Sequence, residues 1–260
     1  MYLSIVTVCF NDLVGLKRTI KSVLPLPNNT EWIVIDGGSS DGTLEYLQSI
    51  TENNFQFVSE VDKGIFDAMN KGILRAKGEY LSFMNSGDLY IREIFLEVVS
   101  EGIKTHDVLT YDYHCLNNRL VPVNSNKLSV SEEDLKFKSS IPHQSSLIRR
   151  SVFLEIGLYN QMFSHGGDYE LFARMLSKNC FTFKFSPNRY LAYFVLDGLT
   201  SKNRSCYEQG KQHRDIQLLH FGSASKKRFL MFNLRYLLSF IPYSDHVVEK
   251  IRRVFFGIRA

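Results

Sequence analysis

Apolar residues follow two rhythms along the first third of the chain. Short unbroken runs, Tyr2 to Val8, Glu31 to Asp36, Phe55 to Ser59 and Tyr80 to Met84, have the β-branched and aromatic character of strands buried on both faces. Between them, apolar residues recur at helical spacing: Leu13, Leu16, Ile20, Val23 and Leu24, then Leu44 and Leu47, then Ile65, Met69, Ile73 and Ala76. Asn11 or Asp12 is placed to cap the first helix, with Pro25 and Pro27 to end it; Asp41 is placed to cap the second and Gly78 to stop the third. The alternation predicts βαβ units and a largely parallel sheet.

Beyond Asp88 the rhythm loosens. A helix is expected near Ile94 to Gly102, strands near Val108 to His114, and a polar stretch from Asn117 to Lys138. Helices are expected again at Ser151 to Ile156, Asp168 to Leu176 and Tyr207 to His220, with two strands between them at Phe181 to Phe185 and Tyr190 to Val195.

A chain of 260 residues with 44% hydrophobic and 22% charged residues is long enough for a sizeable core and is neither disordered nor low-complexity. No run reaches the ~20 apolar residues of a spanning helix. Tyr2 to Phe10 lacks a basic flank and a cleavage site, so it reads as a first strand and not as a signal peptide. The four cysteines, Cys9, Cys115, Cys180 and Cys206, form no CxxC pair; a reducing cytoplasm is expected. Charge is uneven. Residues 225–260 carry eight Lys/Arg against two acids, a net of +6, which leaves −2 for residues 1–224. A near-neutral body is not the footprint of a nucleic-acid binder.

In an open parallel sheet, ligands bind at the carboxyl ends of the strands. Those ends carry Asn11, the run Asp36-Gly37-Gly38-Ser39-Ser40-Asp41, the run Glu60-Val61-Asp62-Lys63, and Asn85-Ser86-Gly87-Asp88, which would assemble a polar crevice. No GxGxxG follows the first strand, and the GxxxxG spacing from Gly37 lacks the lysine of a P-loop.

The runs SIVTVCFND, EWIVIDGGSSDGT, SEVDKGIFDAMNKGILRAKGEYLSFMNSGD, HQSSLIRRSVFLEIGLYN and GGDYELFARM, in this order over roughly residues 1–200, resemble bacterial family 2 glycosyltransferases of the GT-A fold. The resemblance implies a Rossmann-like, nucleotide-binding mixed α/β sheet flanked by helices, and inverting transfer of a hexosyl group, glucose or galactose favoured, from a UDP-sugar. The implied acceptor is a polyprenyl-diphosphate-linked saccharide in O-antigen, capsule or exopolysaccharide synthesis. It further implies that Asp36 meets uracil or ribose, with Thr7 and Asn11 lining the base pocket, Asp62 near the uridine, Lys63 near a phosphate, and Asn70 and Ser86 among the donor contacts. Asp88 stands where the metal-binding DxD motif of the family belongs, implying Mn²⁺ or Mg²⁺; Ser86 replaces its first carboxylate. Asp168 matches the base that deprotonates the acceptor hydroxyl. Glu170 competes for that role, Arg174 would fix the acidic loop or a phosphate, and His143 and Gln144 would touch acceptor or donor sugar.

Blander readings stand beside these. Asp41 and Asp88 are also positioned as helix caps, Asp168 as a first-turn carboxylate favoured by the helix dipole, His143 as a structural histidine and Asn70 as a surface residue. The expected organisation is a donor-binding half at 1–112, an acceptor-binding half at 113–224 and a basic helical extension at 225–260. Phe229, Leu230, Phe232, Leu234, Leu237 and Leu238 interleave with basic residues there, which describes either an interfacial helix on the inner face of the cytoplasmic membrane or a helix packed on the domain. A homo-oligomer is compatible with all of this. Competing functions are a sugar-nucleotide pyrophosphorylase or cytidylyltransferase, and a non-catalytic UDP-sugar-binding protein.

Overall fold

Strand β1 (Leu3–Cys9) and strand β2 (Thr30–Asp36) are buried at every position, because helices cover both faces of the sheet. With β3 (Phe55–Ser59) and β4 (Tyr80–Phe83) they form a parallel array in the order β3-β2-β1-β4. The computed structural model describes residues 2–102, 105–117, 119–126, 132–138, 141–196 and 206–238. The connecting helices are α1 (Leu13–Val23), α2 (Thr43–Gln48) and α3 (Ile65–Arg75).

The period of two in the strands divides the core. Val6, Val8, Ile33, Ile35 and Phe83 face α3, together with α6 (Arg150–Ile156) and α7 (Gly167–Lys178). Leu3, Ile5, Trp32 and Val34 face α1, α2 and α4 (Arg92–Glu101). Glycines permit close approach at two places: a Cβ on Gly72 would lie 2.3 Å from Val6, and one on Gly78 would lie 2.5 Å from the Ser4 backbone nitrogen. Gly78 therefore serves the contact between the β4 approach and β1. The expected helix stop is made instead by Ala76, whose extended backbone closes α3.

Beyond β4 the sheet changes direction. β5 (Leu89–Tyr90), β6 (Val108–Leu116), β7 (Pro122–Asn126), β8 (Ser146–Arg149) and β9 (Phe183–Val195) extend it, in the order β4-β8-β6-β9-β5 with β7 on β6. β8 is antiparallel to both β4 and β6. The two strands expected at 181–185 and 190–195 are one strand, bent where Asn188 takes φ +63° and gives its N–H to Asp112 (2.6 Å). The polar stretch contains β7 and the short helix α5 (Glu132–Phe137). The 112/113 division falls inside β6. Helix α8 (Cys206–Phe221) packs through Ile216 on Tyr169 and Ala173 of α7, and α9 (Lys226–Leu238) packs on α8, with Phe232 against Gly210 and the His213 ring. The extension beyond residue 238 lies outside the described residues. Among the described residues no helix is long and apolar enough to cross a membrane.

Candidate active site

The parallel strands deliver four loops to one edge, and hydrogen bonds fasten the loops to each other. Asn11, in the left-handed region at φ +49°, donates its N–H to Ser39 Oγ (2.7 Å), and its Oδ1 accepts the Ser40 N–H (2.8 Å). Asp12 caps α1 through the Gly15 N–H (3.0 Å) and accepts the Ser86 hydroxyl (2.7 Å), joining the β1 and β4 loops. Asp41 accepts from the Leu13 N–H (2.8 Å), from the Thr43 N–H (3.2 Å) and from the Thr43 hydroxyl (2.7 Å), so it serves the starts of both α1 and α2. Gly42, in the left-handed region, is the N-cap residue of α2.

Several expected site residues are thereby given structural partners. Thr7 is fully buried on the α1 side, where its hydroxyl accepts the Trp32 indole N–H (3.0 Å). Asp36 has no exposed surface; its carboxylate accepts the Ser39 N–H and hydroxyl and the Ser59 hydroxyl (2.6 Å). Asn70 is buried and clamps Tyr159, donating to its carbonyl and accepting its N–H, both at 2.9 Å. Glu170, its side chain 3% exposed, lies between Arg174 Nη2 and His220 Nε2, each at 3.0 Å. Arg174 also donates to the carbonyls of Ile156 and Leu158. Glu170 and Arg174 thus knit α7 to α8 and to the turn after α6. Asp88 is buried, its Oδ1 accepting the Val195 N–H of β9 (3.0 Å) and its carbonyl the Thr19 hydroxyl (2.8 Å).

The groups that border the crevice are different. Asp62 accepts the Gly64 N–H (2.8 Å) and approaches so closely that a Cβ on Gly37 would lie 2.5 Å from its carboxylate. Lys63 is exposed, its backbone N–H fixed by Asp67 (3.0 Å). Phe10 is 63% exposed at the end of β1, and a Cβ on Gly37 would sit 3.2 Å from its ring. Sequence reasoning passed over Phe10, though an aromatic outside the buried run and beside Asn11 was a signal.

At the far end, β8 runs antiparallel to β4, so the residues before it land beside the end of β4. The 3-10 turn His143–Ser145 occupies this place. His143 Nε2 lies 3.3 Å from Asn85 Nδ2, and Nδ1 lies 3.2 Å from Asp168 Oδ2 at the start of α7. Gln144 is buried beside it. The Gly166-Gly167 pair makes room for packing: a Cβ on Gly167 would lie 2.7 Å from the Phe66 ring, and one on Gly166 would lie 3.2 Å from His213 and Ile216. Burial acts to raise the Asp168 carboxyl, but the His143 hydrogen bond leads a set of influences that bring it below the usual carboxylate range. Burial holds His213, across from it on α8, down at about 4.

For a divalent ion the loop after β4 supplies one carboxylate, Asp88, and the Ser86 hydroxyl, which donates to Asp12 (2.7 Å); among the described residues no three His, Cys, Asp or Glu gather around one point. Such a donor set fits an ion bound mainly by substrate phosphates and water, a common arrangement for Mg²⁺.

A mixed sheet of this order, with a polar crevice at its parallel strand ends, is the GT-A glycosyltransferase architecture. The pattern of Glycosyl transferase family 2 matches residues 4–157, and the chain belongs to that family. It is 34% identical over 176 residues to an uncharacterised glycosyltransferase of Mycobacterium tuberculosis, covering 66% of this chain and 67% of the relative. It is 26% identical over 174 residues to a PGL/p-HBAD biosynthesis glycosyltransferase of Mycobacterium bovis, covering 66% and 68%. Among solved structures, residues 1–349 of S. aureus TarS with UDP-GlcNAc superpose with a TM-score of 0.64 at 16% identity, covering 95% of this chain and 74% of TarS 1–349. The Pyrobaculum calidifontis mannosyltransferase with GDP-Man and Mn²⁺ gives 0.61 at 13% identity, covering 99% and 76%. Both likenesses concern the fold.

Proposed function

We propose that this glycosyltransferase inverts the anomeric centre of a UDP-hexose, glucose or galactose favoured, as it transfers the sugar to a saccharide carried on a polyprenyl diphosphate for cell-surface polysaccharide. The observation that carries the reading is the position of Asp168, with 27% of its side chain exposed, linked through His143 to the end of β4 where a donor diphosphate would lie. Phe10 offers a face for the base, Asp62 and Asn11 polar contacts to the uridine, and Lys63 a charge for phosphate. Asn85 Oδ1, buried without a partner, is suited to accept a sugar hydroxyl. Asp36 and Asn70 act through the loops they fasten. The UDP-GlcNAc and UDP complexes of TarS support a uridine donor, and the PGL/p-HBAD biosynthesis relatives support a role in glycan synthesis.

When bound, a divalent ion would neutralise charge on the departing diphosphate. Asp88 with Ser86 would hold it. The chain's own residues orient the donor, and Asp168 takes the proton of the attacking hydroxyl. Offering UDP-glucose, UDP-galactose, UDP-GlcNAc and GDP-mannose with short lipid-diphosphate sugars, with and without Mn²⁺, tests the reading; transfer from GDP-mannose alone would overturn it. Asp88→Asn keeps an acceptor for the Val195 N–H and removes the charge, so it should fold normally and lose Mn²⁺ stimulation. Undiminished stimulation in that variant would assign Asp88 to structure.

The basic extension supports a reversible membrane contact. On α9 one face is packed on α8, while Leu230, Leu234 and Leu237 form an exposed stripe beside Lys226 and Lys227. Leu230→Glu with Leu237→Glu should abolish sedimentation with anionic vesicles and leave UDP binding unchanged. Sedimentation equal to the parent would overturn this part of the reading. Salt should weaken binding of the parent, because its electrostatic part is screened.

A further inference from the structure

We propose that His143 is the positioning residue for Asp168, presenting its carboxylate to the acceptor hydroxyl through a hydrogen-bonded line that begins at Asn85. The inference rests on the reading of Asp168 as base. It starts from topology: β8 pairs antiparallel with β4 in the register Ser82↔Leu147 and Leu81↔Ile148, which forces the turn before β8 to the crevice edge. The turn is itself fixed, since Ser146 Oγ donates to the Pro142 carbonyl (2.6 Å) and Ser145 Oγ to the Asp112 carbonyl (2.9 Å). His143 is 9% exposed and its ring is held at both nitrogens.

The chemistry at the two nitrogens is directional. Asn85 Nδ2 has only protons to give, so Nε2 of His143 accepts there and the ring proton resides on Nδ1, from which it is donated to Asp168 Oδ2. One carboxylate oxygen is thereby occupied, leaving Oδ1 to take the acceptor proton. Asn85 belongs to the loop after β4, so the line ties the donor side of the crevice to the base.

The other groups facing Asp168 do not replace this contact. His213 from α8 is buried and neutral, Tyr113 from β6 and Tyr159 from the turn after α6 are phenols raised by burial and by the Asp168 charge, and the Tyr169 N–H belongs to Asp168's own helix. Burial, already the largest influence on the Asp168 carboxyl and a raising one, loses its main opponent when His143 is removed. The acid limb of the rate profile then moves to higher pH.

Four variants, measured for kcat, for KM of donor and acceptor, and for the pH dependence of kcat/KM, test the proposal. His143→Ala should lower kcat by about 10²-fold, the scale of a small misplacement of a reacting group, with both KM values little changed. Its acid limb should move upward. His143→Asn, whose amide N–H reaches the place of Nδ1–H, should recover most of kcat and return the limb toward the parent. Asn85→Ala removes the group that holds Nε2 and should reproduce part of the His143→Ala loss of kcat. A rise in acceptor KM at unchanged kcat would make His143 a substrate contact and overturn the proposal; so would equal losses in His143→Ala and His143→Asn with an unmoved limb. Asp168→Asn separates the two readings. If it is active, the base assignment fails; if it is inactive while His143→Ala turns over like the parent, only the positioning role fails.

Discussion

Asp168→Asn should lower turnover by about 10²–10⁴-fold, the contribution typical of a positioned general base. An acceptor hydroxyl attacks poorly until a carboxylate takes its proton, and an amide of the same shape cannot do so. The amide can still satisfy His143, so the 3-10 turn and the start of α7 should keep their places. Donor affinity, which the proposed function assigns to the loops after β1 to β4, should stay within about threefold, because an interaction made only in the transition state leaves ground-state binding unchanged. Asp168 is held below the usual carboxylate range, so it remains ionised at neutral pH and is protonated only in acid below that range; the parent's activity should show no limb from this group between about pH 5 and 8. A single-turnover assay with saturating donor gives the chemical rate directly. Loss of donor binding in Asp168→Asn would instead mean that the residue organises the pocket.

Glu170→Ala should act on stability and leave chemistry nearly intact. The carboxylate is 3% exposed and receives Arg174 and His220 on separate oxygens, so its removal strands two cationic or polar partners in a half-dry setting. Breaking a buried pair from one side costs about 3–5 kcal/mol. Arg174 keeps its bonds to the Ile156 and Leu158 carbonyls, which places the expected loss near the low end, about 3 kcal/mol. At roughly 2–4 °C per kcal/mol for a chain of this size, Tm should fall by about 6–12 °C. Well below that Tm, kcat should remain within about threefold of the parent. A collapse of kcat in protein that is still folded would move the base two residues along α7.

The first four strands and three helices could be read from the chain because each buried parallel strand is an unbroken apolar run and each helix shows its stripe. The later strands carry no such signal. β5 has two residues, and β8 is Ser-Leu-Ile-Arg between a turn and a helix, too short for any period to show. β9 looked like two strands because Pro187 and Asn188 interrupt its pattern, whereas the Asp112 carboxylate holds the bend together. In the candidate site, Asp168 and His143 were legible as residue types in a motif, but their contact depended on β8, which the sequence did not disclose. The partners of Asn70, Glu170 and Arg174 could not be read from the sequence. A polar side chain satisfied inside the protein has the same letter as one that awaits a substrate, and only its partners tell them apart.

The insertion of β8 between β4 and β6 has a practical consequence for recombining this enzyme with its relatives. Two strands contributed by the first 116 residues are bridged by four residues that arrive thirty positions later, so neither side of the crevice has a complete sheet edge of its own. A chimera cut at the 112/113 division would divide β6 and leave β4 paired with a foreign β8. A crossover placed after α6, at Ile156, keeps β8 and its turn with β4 and β6, and leaves β9, which lies between β6 and β5, as the one foreign strand of the sheet.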